Sequence, residues 1–425
     1  MATPRLSANF HFTNIRPYSG SVDLTRFASN APGELVRISG TDPYQGPWQH
    51  AAFLPTPLPA EPPHLSTRTY RLIGDARAAL AALDSTARQL PNPRLLRRPT
   101  LQTEAQSTSA LEGTYAPLQT VLTADDDPPS GSDLREVLNY VTMADTAFAW
   151  KEEGRPLTLS ALGELQRILV RETRGEDDSS GSVRNSQVVI GRRSTAQPDD
   201  LPVKAARFVP APPGPDLEAR VRDLLDWMQV GSRTDIDPVV AAAMAHYQFE
   251  TLHPFHDGNG RVGRLLVVLH LMTLGVITEP SLTVSPWFES RREEYYDRLL
   301  AVSTHDDWDA FVRFFAIGLA ASASRTQEQM LALVDVQHRM REAVRRSTMR
   351  ANTAQALVDY AVAHPSFTVR AVEQDLSVSY GRANALISQL VDLGLLAPLS
   401  ANGYRRRFCA PGVIQVILHG RGTSA

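Results

Sequence analysis

His253-Pro254-Phe255-His256-Asp257-Gly258-Asn259-Gly260-Arg261-Val262-Gly263-Arg264 is the stretch that decides how the rest of this chain is read. One apolar helical pattern, Pro238–Thr251, stops just before it, and a second, Arg261–Leu274, begins at its end. The short loop between them carries two glycines, an imidazole, a carboxylate and an amide, and arginines three residues apart come directly after. Glycines ahead of a helix start let main-chain N–H groups approach an anion, and the helix dipole favours negative charge there. Arg261 and Arg264 project to neighbouring positions of the new helix and can grip two phosphates of one polyanion. Asp257 suits Mg²⁺, which binds through one or two carboxylates plus substrate phosphates. His253 titrates in the range of a general base towards a hydroxyl. Each feature alone is commonplace, since a His before Pro is more often structural and Gly-Asn-Gly is often a plain turn. Their order carries the weight.

That order matches the signature H-P-F-x-(D/E)-G-N-G-R-x-x-R, and over roughly residues 59–325 the chain resembles the Fic (Fido) family. The resemblance implies an α-helical core and transfer of AMP from ATP to a Ser, Thr or Tyr hydroxyl of a protein, with Mg²⁺ or Mn²⁺. It makes His253 the base and Phe255 an apolar anchor of the loop. It gives the metal to Asp257. Gly258, Asn259 and Gly260 become the anion hole, with Asn259 adding a side-chain donor. Arg261 takes the departing pyrophosphate and Arg264 the γ-phosphate. Val188, Val189, Ile190 and Gly191 occupy the place of the family's flap, which pairs with a target's main chain by strand addition; the plain alternative is an edge hairpin. Tyr295-Tyr296 lies where members keep a tyrosine pair near the nucleoside, Tyr295 being the expected contact, with a pair of core tyrosines as the alternative.

Upstream, Thr108-Ser109-Ala110-Leu111-Glu112-Gly113 fits the family's inhibitory pattern (S/T)-x-x-x-E-(G/N), through Thr108, Glu112 and Gly113. In the class with N-terminal inhibition, Glu112 would pair with Arg264 and compete with the γ-phosphate. The same carboxylate could orient water and remove AMP from a modified target.

Working outward, the fold class expected is mainly α, with a small β-hairpin flap. Residues 1–58 read as an irregular arm. Residues 59–130 form a helical domain holding the inhibitory helix, and 131–325 form the catalytic core. Helical spacing marks Leu65–Leu90, Leu101–Glu112, Asp133–Glu152, Ser160–Glu172, Leu217–Gln229, Arg291–Ser303 and Trp308–Arg325, with Gln187–Ile190 as a short strand. A charged connecting helix, 326–350, leads to residues 351–425. There three short helices precede two β-prone stretches around Asn402-Gly403, the order of a winged helix-turn-helix.

From Arg339 onward there are 11 Arg, no Lys and 5 acidic residues, a surplus of six positive charges on a body with nine in deficit. A basic tail of this kind points to an anionic partner, and DNA through the last module is one candidate. The 425 residues are 43% apolar and 21% charged, the balance of a soluble globular protein. The longest mostly apolar run, Leu265–Ile277, is too short to span a bilayer, and Met1–Phe12 has no secretory pattern. Cys409 is the single cysteine, which excludes an internal disulfide and a cysteine metal cage. A cytoplasmic enzyme is therefore expected, with ATP, a target protein, its own chain and a second copy as candidate partners. Two alternatives remain open. One is another phosphate-group transferase on the same fold, although the intact Gly258-Asn259-Gly260-Arg261 argues against the kinase-like variant. The other is a DNA-binding regulator whose core senses nucleotide.

Overall fold

A β-hairpin of two ten-residue strands opens the described chain where an irregular arm was expected. Strands β1 (Gly33–Asp42) and β2 (Gly46–Pro55) pair antiparallel in unbroken register, from Gly33 against Pro55 to Asp42 against Gly46. The Asp42 carboxylate closes the turn by accepting from the N–H groups of Tyr44 and Gln45, both at 2.9 Å. Gly33, Pro43, Gly46 and Pro47, which read as punctuation of a loop, sit at the hairpin's ends. The computed structural model describes residues 27–89, 97–124, 131–229, 235–347, 349, 352–399 and 406–419.

Helices dominate the rest of the chain. They run α1 (Thr67–Gln89), α2 (Arg97–Leu111), α3 (Leu118–Leu122), α4 (Ser132–Glu152) and α5 (Leu159–Val170). A second small sheet then pairs β3 (Ile190–Arg192) antiparallel with β4 (Ala206–Phe208), around the single turn α6 (Pro202–Ala205). Next come α7 (Pro215–Gln229), α8 (Pro238–Leu252), α9 (Asn259–Thr273), α10 (Ser285–Glu289), α11 (Arg292–His305) and α12 (Trp308–Arg346). The stop expected near Arg325 is absent: α12 runs unbroken into the connecting segment, because Thr326–Met330 contains no Pro or Gly. The last part holds α13 (Asn352–Ala363), β5 (Ser366–Thr368), α14 (Val369–Asp375), α15 (Tyr380–Asp392), β6 (Ala397–Pro398), β7 (Arg407–Cys409) and α16 (Pro411–His419). Its three strands form one antiparallel sheet in the order β5-β7-β6. The expected Asn402-Gly403 turn lies outside the described residues, and α16 was not foreseen.

The chain divides into two compact units. The first comprises the described residues up to 74, with 146–274 and 291–317. At its centre α8 is buried on almost every face and packs against α9. Pro238 at the first helical position and the Asp237 carboxylate on the Val239 N–H start α8. Against the small sheet, Ile38, Trp48 and Ala52 of the hairpin join Leu201, Val203, Ala206 and Val209 in one apolar cluster. The Phe53 N–H also donates to the Val209 carbonyl at 2.9 Å. The hairpin thus braces the segment expected to act as a flap.

The second unit comprises 75–145, 275–290 and 318–425. Here α2 is buried although polar: Glu104 accepts from the Ser285 N–H at 3.0 Å, and Gln102 donates to the Val121 carbonyl at 3.1 Å.

Candidate active site

The site is built where α8 ends. Pro254 cannot continue the helix, so His253 becomes the C-terminal cap in the left-handed region, at φ 50° and ψ 61°. Such backbone costs a residue with a Cβ about 1–2 kcal/mol, and the neighbouring structure must hold it. The His253 N–H donates to the Phe249 carbonyl at 3.0 Å, and Nδ1 lies 3.3 Å from the Glu250 carbonyl. A carbonyl only accepts, so in the neutral ring Nδ1 carries the hydrogen and Nε2 the lone pair. In that tautomer Nε2 is the ring's accepting atom.

Phe255, 1% exposed, anchors the loop in the core as expected. The Asn259 amide then closes the loop on itself: Oδ1 accepts from the Phe255 N–H and Nδ2 donates to the Phe255 carbonyl, both at 2.8 Å. The Asn259 side chain, expected as a phosphate donor, thus shapes the main chain of the loop, and its Nδ2 carries a second hydrogen beyond the one given to Phe255. Gly258 caps α9 at φ 85°, and a Cβ there would also stand 2.8 Å from Leu169. The first N–H groups of α9, at Asn259, Gly260 and Arg261, lie at the helix end whose dipole favours an anion. Arg261 and Arg264 are both buried.

Asp257 is half-exposed and tightly oriented. Its Oδ1 accepts from the Gly258 N–H at 2.6 Å and from Arg261 Nη2 at 2.8 Å. Its carbonyl accepts from Gln166 Nε2 at 3.1 Å. On the other side Gly175 leaves room for the carboxylate, for a Cβ there would stand 2.2 Å from Oδ2. One oriented carboxylate beside a helix N-terminus fits a Mg²⁺ or Mn²⁺ ion of the kind held chiefly by a nucleotide's phosphates. Among the described residues no cluster of three His, Cys, Asp or Glu offers an all-protein alternative.

Tyr295 is fully buried, its ring stacked on His246 and its hydroxyl 2.7 Å from His246 Nε2. His246 Nδ1 in turn faces the Gly263 carbonyl at 3.3 Å. Burial, and then the charge of Arg264, pull this imidazole down to about 3, so it is neutral, donating through Nδ1 and accepting the tyrosine hydrogen at Nε2. Tyr295 is therefore a core tyrosine that links α11 to α8, the alternative left open by the sequence. Tyr296 keeps a partly exposed ring, with the Arg292 guanidinium 5.8 Å from its centre.

The flap is shorter than expected. Gln187, Val188 and Val189 are irregular rather than strand, and Val189 packs against the apolar cluster under the sheet. Pairing starts at Ile190, opposite Phe208, and Gly191 comes next at φ 63°. In the other unit, Thr108 is buried in α2 and the helix ends at Leu111, one residue short of expectation. Glu112 and Gly113 form an exposed turn, their N–H groups on the Ser109 and Ala110 carbonyls, both at 3.0 Å. The residues that sequence reasoning missed are Gln166, Gly175, Arg184 and His246. Only His246, an imidazole directly after the apolar run Val239–Ala245, left a visible trace.

A helical unit that turns on such a loop is a Fic-type domain, and the comparisons with known proteins agree. Residues 70–149 match the Fic/DOC family N-terminal domain and residues 156–271 the Fic/DOC family domain, which contains the whole 253–264 loop. Over these residues the chain is similar to the Fic/DOC family. The protein adenylyltransferase fic-1 of Caenorhabditis elegans is 35% identical over 146 residues, 34% of this chain and 24% of that protein. The protein adenylyltransferase Fic of Culex quinquefasciatus is 32% identical over 160 residues, covering 38% and 27%. The chain thus matches about a quarter of the length of these curated relatives. A crystal structure of a Fic family protein from Desulfovibrio desulfuricans G20 shares the fold with a TM-score of 0.50 at 23% identity, over 83% of this chain and 98% of that one. No helix among the described residues is long and apolar enough to cross a membrane.

Proposed function

We propose that this chain is a protein adenylyltransferase that moves AMP from ATP to a hydroxyl of a protein, its own chain included. The observation that carries the reading is the pairing of an oriented base, His253, with the arginine-backed N-terminus of α9. The hydroxyl oxygen attacks the α-phosphorus while its proton passes to His253 Nε2. The bond from the α-phosphorus to the bridging oxygen breaks, and pyrophosphate leaves. The N–H groups at the start of α9 neutralise the oxygens of the α-phosphate, Arg261 receives the pyrophosphate, and Arg264 holds the γ-phosphate in line. A divalent ion held by Asp257 would supply charge neutralisation on the α- and β-phosphates. The target's main chain would pair beside Ile190 and Gly191, which fixes where its hydroxyl arrives. Purified protein incubated with α-labelled ATP and candidate proteins tests the reading: transfer of label to protein is expected, and its absence under every metal and target condition would reject it.

Metal dependence rests on the same geometry. Asp257→Ala should lower labelling by about 10- to 100-fold, and excess chelator should stop the unaltered protein. Full activity in chelator would contradict the metal role. Gly175→Ala is a gentler probe, because its methyl must push the Asp257 carboxylate aside. Labelling should fall by about tenfold at limiting Mg²⁺ and recover as Mg²⁺ is raised. A loss that does not respond to metal would point to a damaged loop instead.

A second reading concerns the tail. The order α13, β5, α14, α15, β6, β7 suits a winged helix-turn-helix, and Arg370, Arg382 and Arg406 are exposed on it. We expect this module to bind DNA or to dock a protein; a mobility shift at physiological salt separates the two, and DNA binding without any AMP transfer would favour a nucleotide-sensing regulator. A second copy of the chain as partner is read out by light scattering.

A further inference from the structure

Arg184 is a fully buried arginine of the first unit that the phosphate chemistry does not use. It is 1% exposed, and its partners among the described residues are main-chain carbonyls rather than carboxylates. Nε donates to the His253 carbonyl at 2.8 Å and Nη1 to the Ser186 carbonyl at 3.1 Å. Nη2 donates to the Ala211 carbonyl and reaches the Leu252 carbonyl at 3.4 Å. The main-chain N–H of Arg184 adds a bond to the Pro254 carbonyl at 2.8 Å. One residue therefore joins three separate pieces of chain: the end of α8 with the base, the approach to β3, and the exit from β4.

Two physical needs meet there. The last carbonyls of a helix lack partners and carry the negative end of its dipole, so a cation there is favourable. Here the Phe249 carbonyl is met by the His253 N–H, the Glu250 carbonyl by the His253 ring, and the Leu252 and His253 carbonyls by Arg184. The left-handed backbone of His253 is thus held from its N–H, its ring and its carbonyl at once. A planar fork with five donors on three nitrogens can span four carbonyls, whereas the three donors of a lysine radiate from a single nitrogen. Burial pulls the guanidinium down to about 9, still charged at neutral pH.

We infer that Arg184 is a positioning residue for the transfer step, a clamp that locks the His253 base to the flap so that imidazole and incoming hydroxyl share one rigid frame. The inference rests on the adenylyltransferase reading for its kinetic consequence, while the clamp itself is a statement about the resting protein. Base and hydroxyl must meet at hydrogen-bond distance, and a misplacement of about 1 Å costs on the order of a hundredfold in rate. Nucleotide is held by α9, which Arg184 does not touch through any of these bonds, so its removal should act on kcat and spare ATP.

The test uses Arg184→Gln and Arg184→Lys in the full chain, with nucleotide affinity measured by titration and rates normalised to nucleotide-binding protein. Arg184→Gln should lower kcat for labelling by about 30- to 100-fold with the ATP Kd within about threefold. Arg184→Lys, which keeps the charge and loses the fork, should recover part of that loss. Hydrogen exchange should show residues 253–258 and 186–190 losing protection together, while the C-terminal half of α9 keeps its own. Unchanged kcat overturns the clamp; so does a fall of kcat and nucleotide binding in step, which marks general damage. Should Arg184→Gln fail to fold, Arg184→Lys carries the same comparison. If no form of the protein transfers AMP, the adenylyltransferase reading fails by itself and exchange decides the clamp: joint loss of protection upholds it, and loss in one segment alone rejects it.

Discussion

His253→Ala should abolish labelling, with a fall of about 10²- to 10⁴-fold, while ATP still binds within about twofold of the unaltered protein. The split reflects where the contacts lie. The residue is fixed by its main-chain N–H on the Phe249 carbonyl and the imidazole by Nδ1 on the Glu250 carbonyl, and in that tautomer Nε2 is the ring's accepting atom. The groups that would meet phosphate belong to α9 and its cap, from Gly258 to Arg264. Alanine keeps a Cβ in the left-handed cap, so the backbone penalty of that position changes little and the thermal midpoint should shift by only a few degrees. Titration calorimetry with a non-hydrolysable ATP analogue, beside labelling with α-labelled ATP, separates binding from transfer. Near-normal labelling by the alanine variant would remove His253 from the reaction. Loss of ATP binding in proportion would make it a scaffold of the loop.

What the sequence made readable was whatever local chemistry dictates. Helix α8 carries its own start in Asp237-Pro238 and its own stop in Pro254, and Gly258 marks the cap of α9, so the frame of the site could be placed to within a residue or two. The long-range commitments were hidden. Asn259 looks like a plain turn residue along the chain, yet its amide accepts from and donates to the main chain of Phe255 once the loop has closed. Tyr295 and Tyr296 are equivalent as neighbours in sequence; burial against His246 separates them. The β1–β2 hairpin escaped because its glycines and prolines resemble loop punctuation until the partner strand is known. Arg184 gave no signal at all, for nothing local distinguishes an arginine that serves four carbonyls from one in water.

Glu112→Gly should raise self-labelling or target labelling by about 30- to 150-fold over the unaltered protein. The expectation comes from the pattern Thr108-x-x-x-Glu112-Gly113 and from charge competition. If the resting enzyme is restrained by a carboxylate on Arg264, the γ-phosphate must displace a charge-assisted pair on the order of 2–3 kcal/mol. At about 1.4 kcal/mol per tenfold, relief of that restraint gives the stated range. On that expectation, removing the carboxylate would leave the guanidinium to the γ-phosphate and let the α-phosphorus align with the incoming hydroxyl. The substitution is gentle on the fold, because Glu112 sits on an exposed turn beyond the last residue of α2. Two controls bind the gain to the site. Glu112→Gly combined with His253→Ala should be silent, since released nucleotide geometry is useless without the base. Glu112→Gln, which keeps the size and loses the charge, should be activated nearly as much as glycine, because it is the charge that competes. Circular dichroism confirms an intact fold in each case. Labelling by Glu112→Gly equal to that of the unaltered protein would refute inhibition by this residue and leave the assignments of residues 253–264 standing on their own geometry.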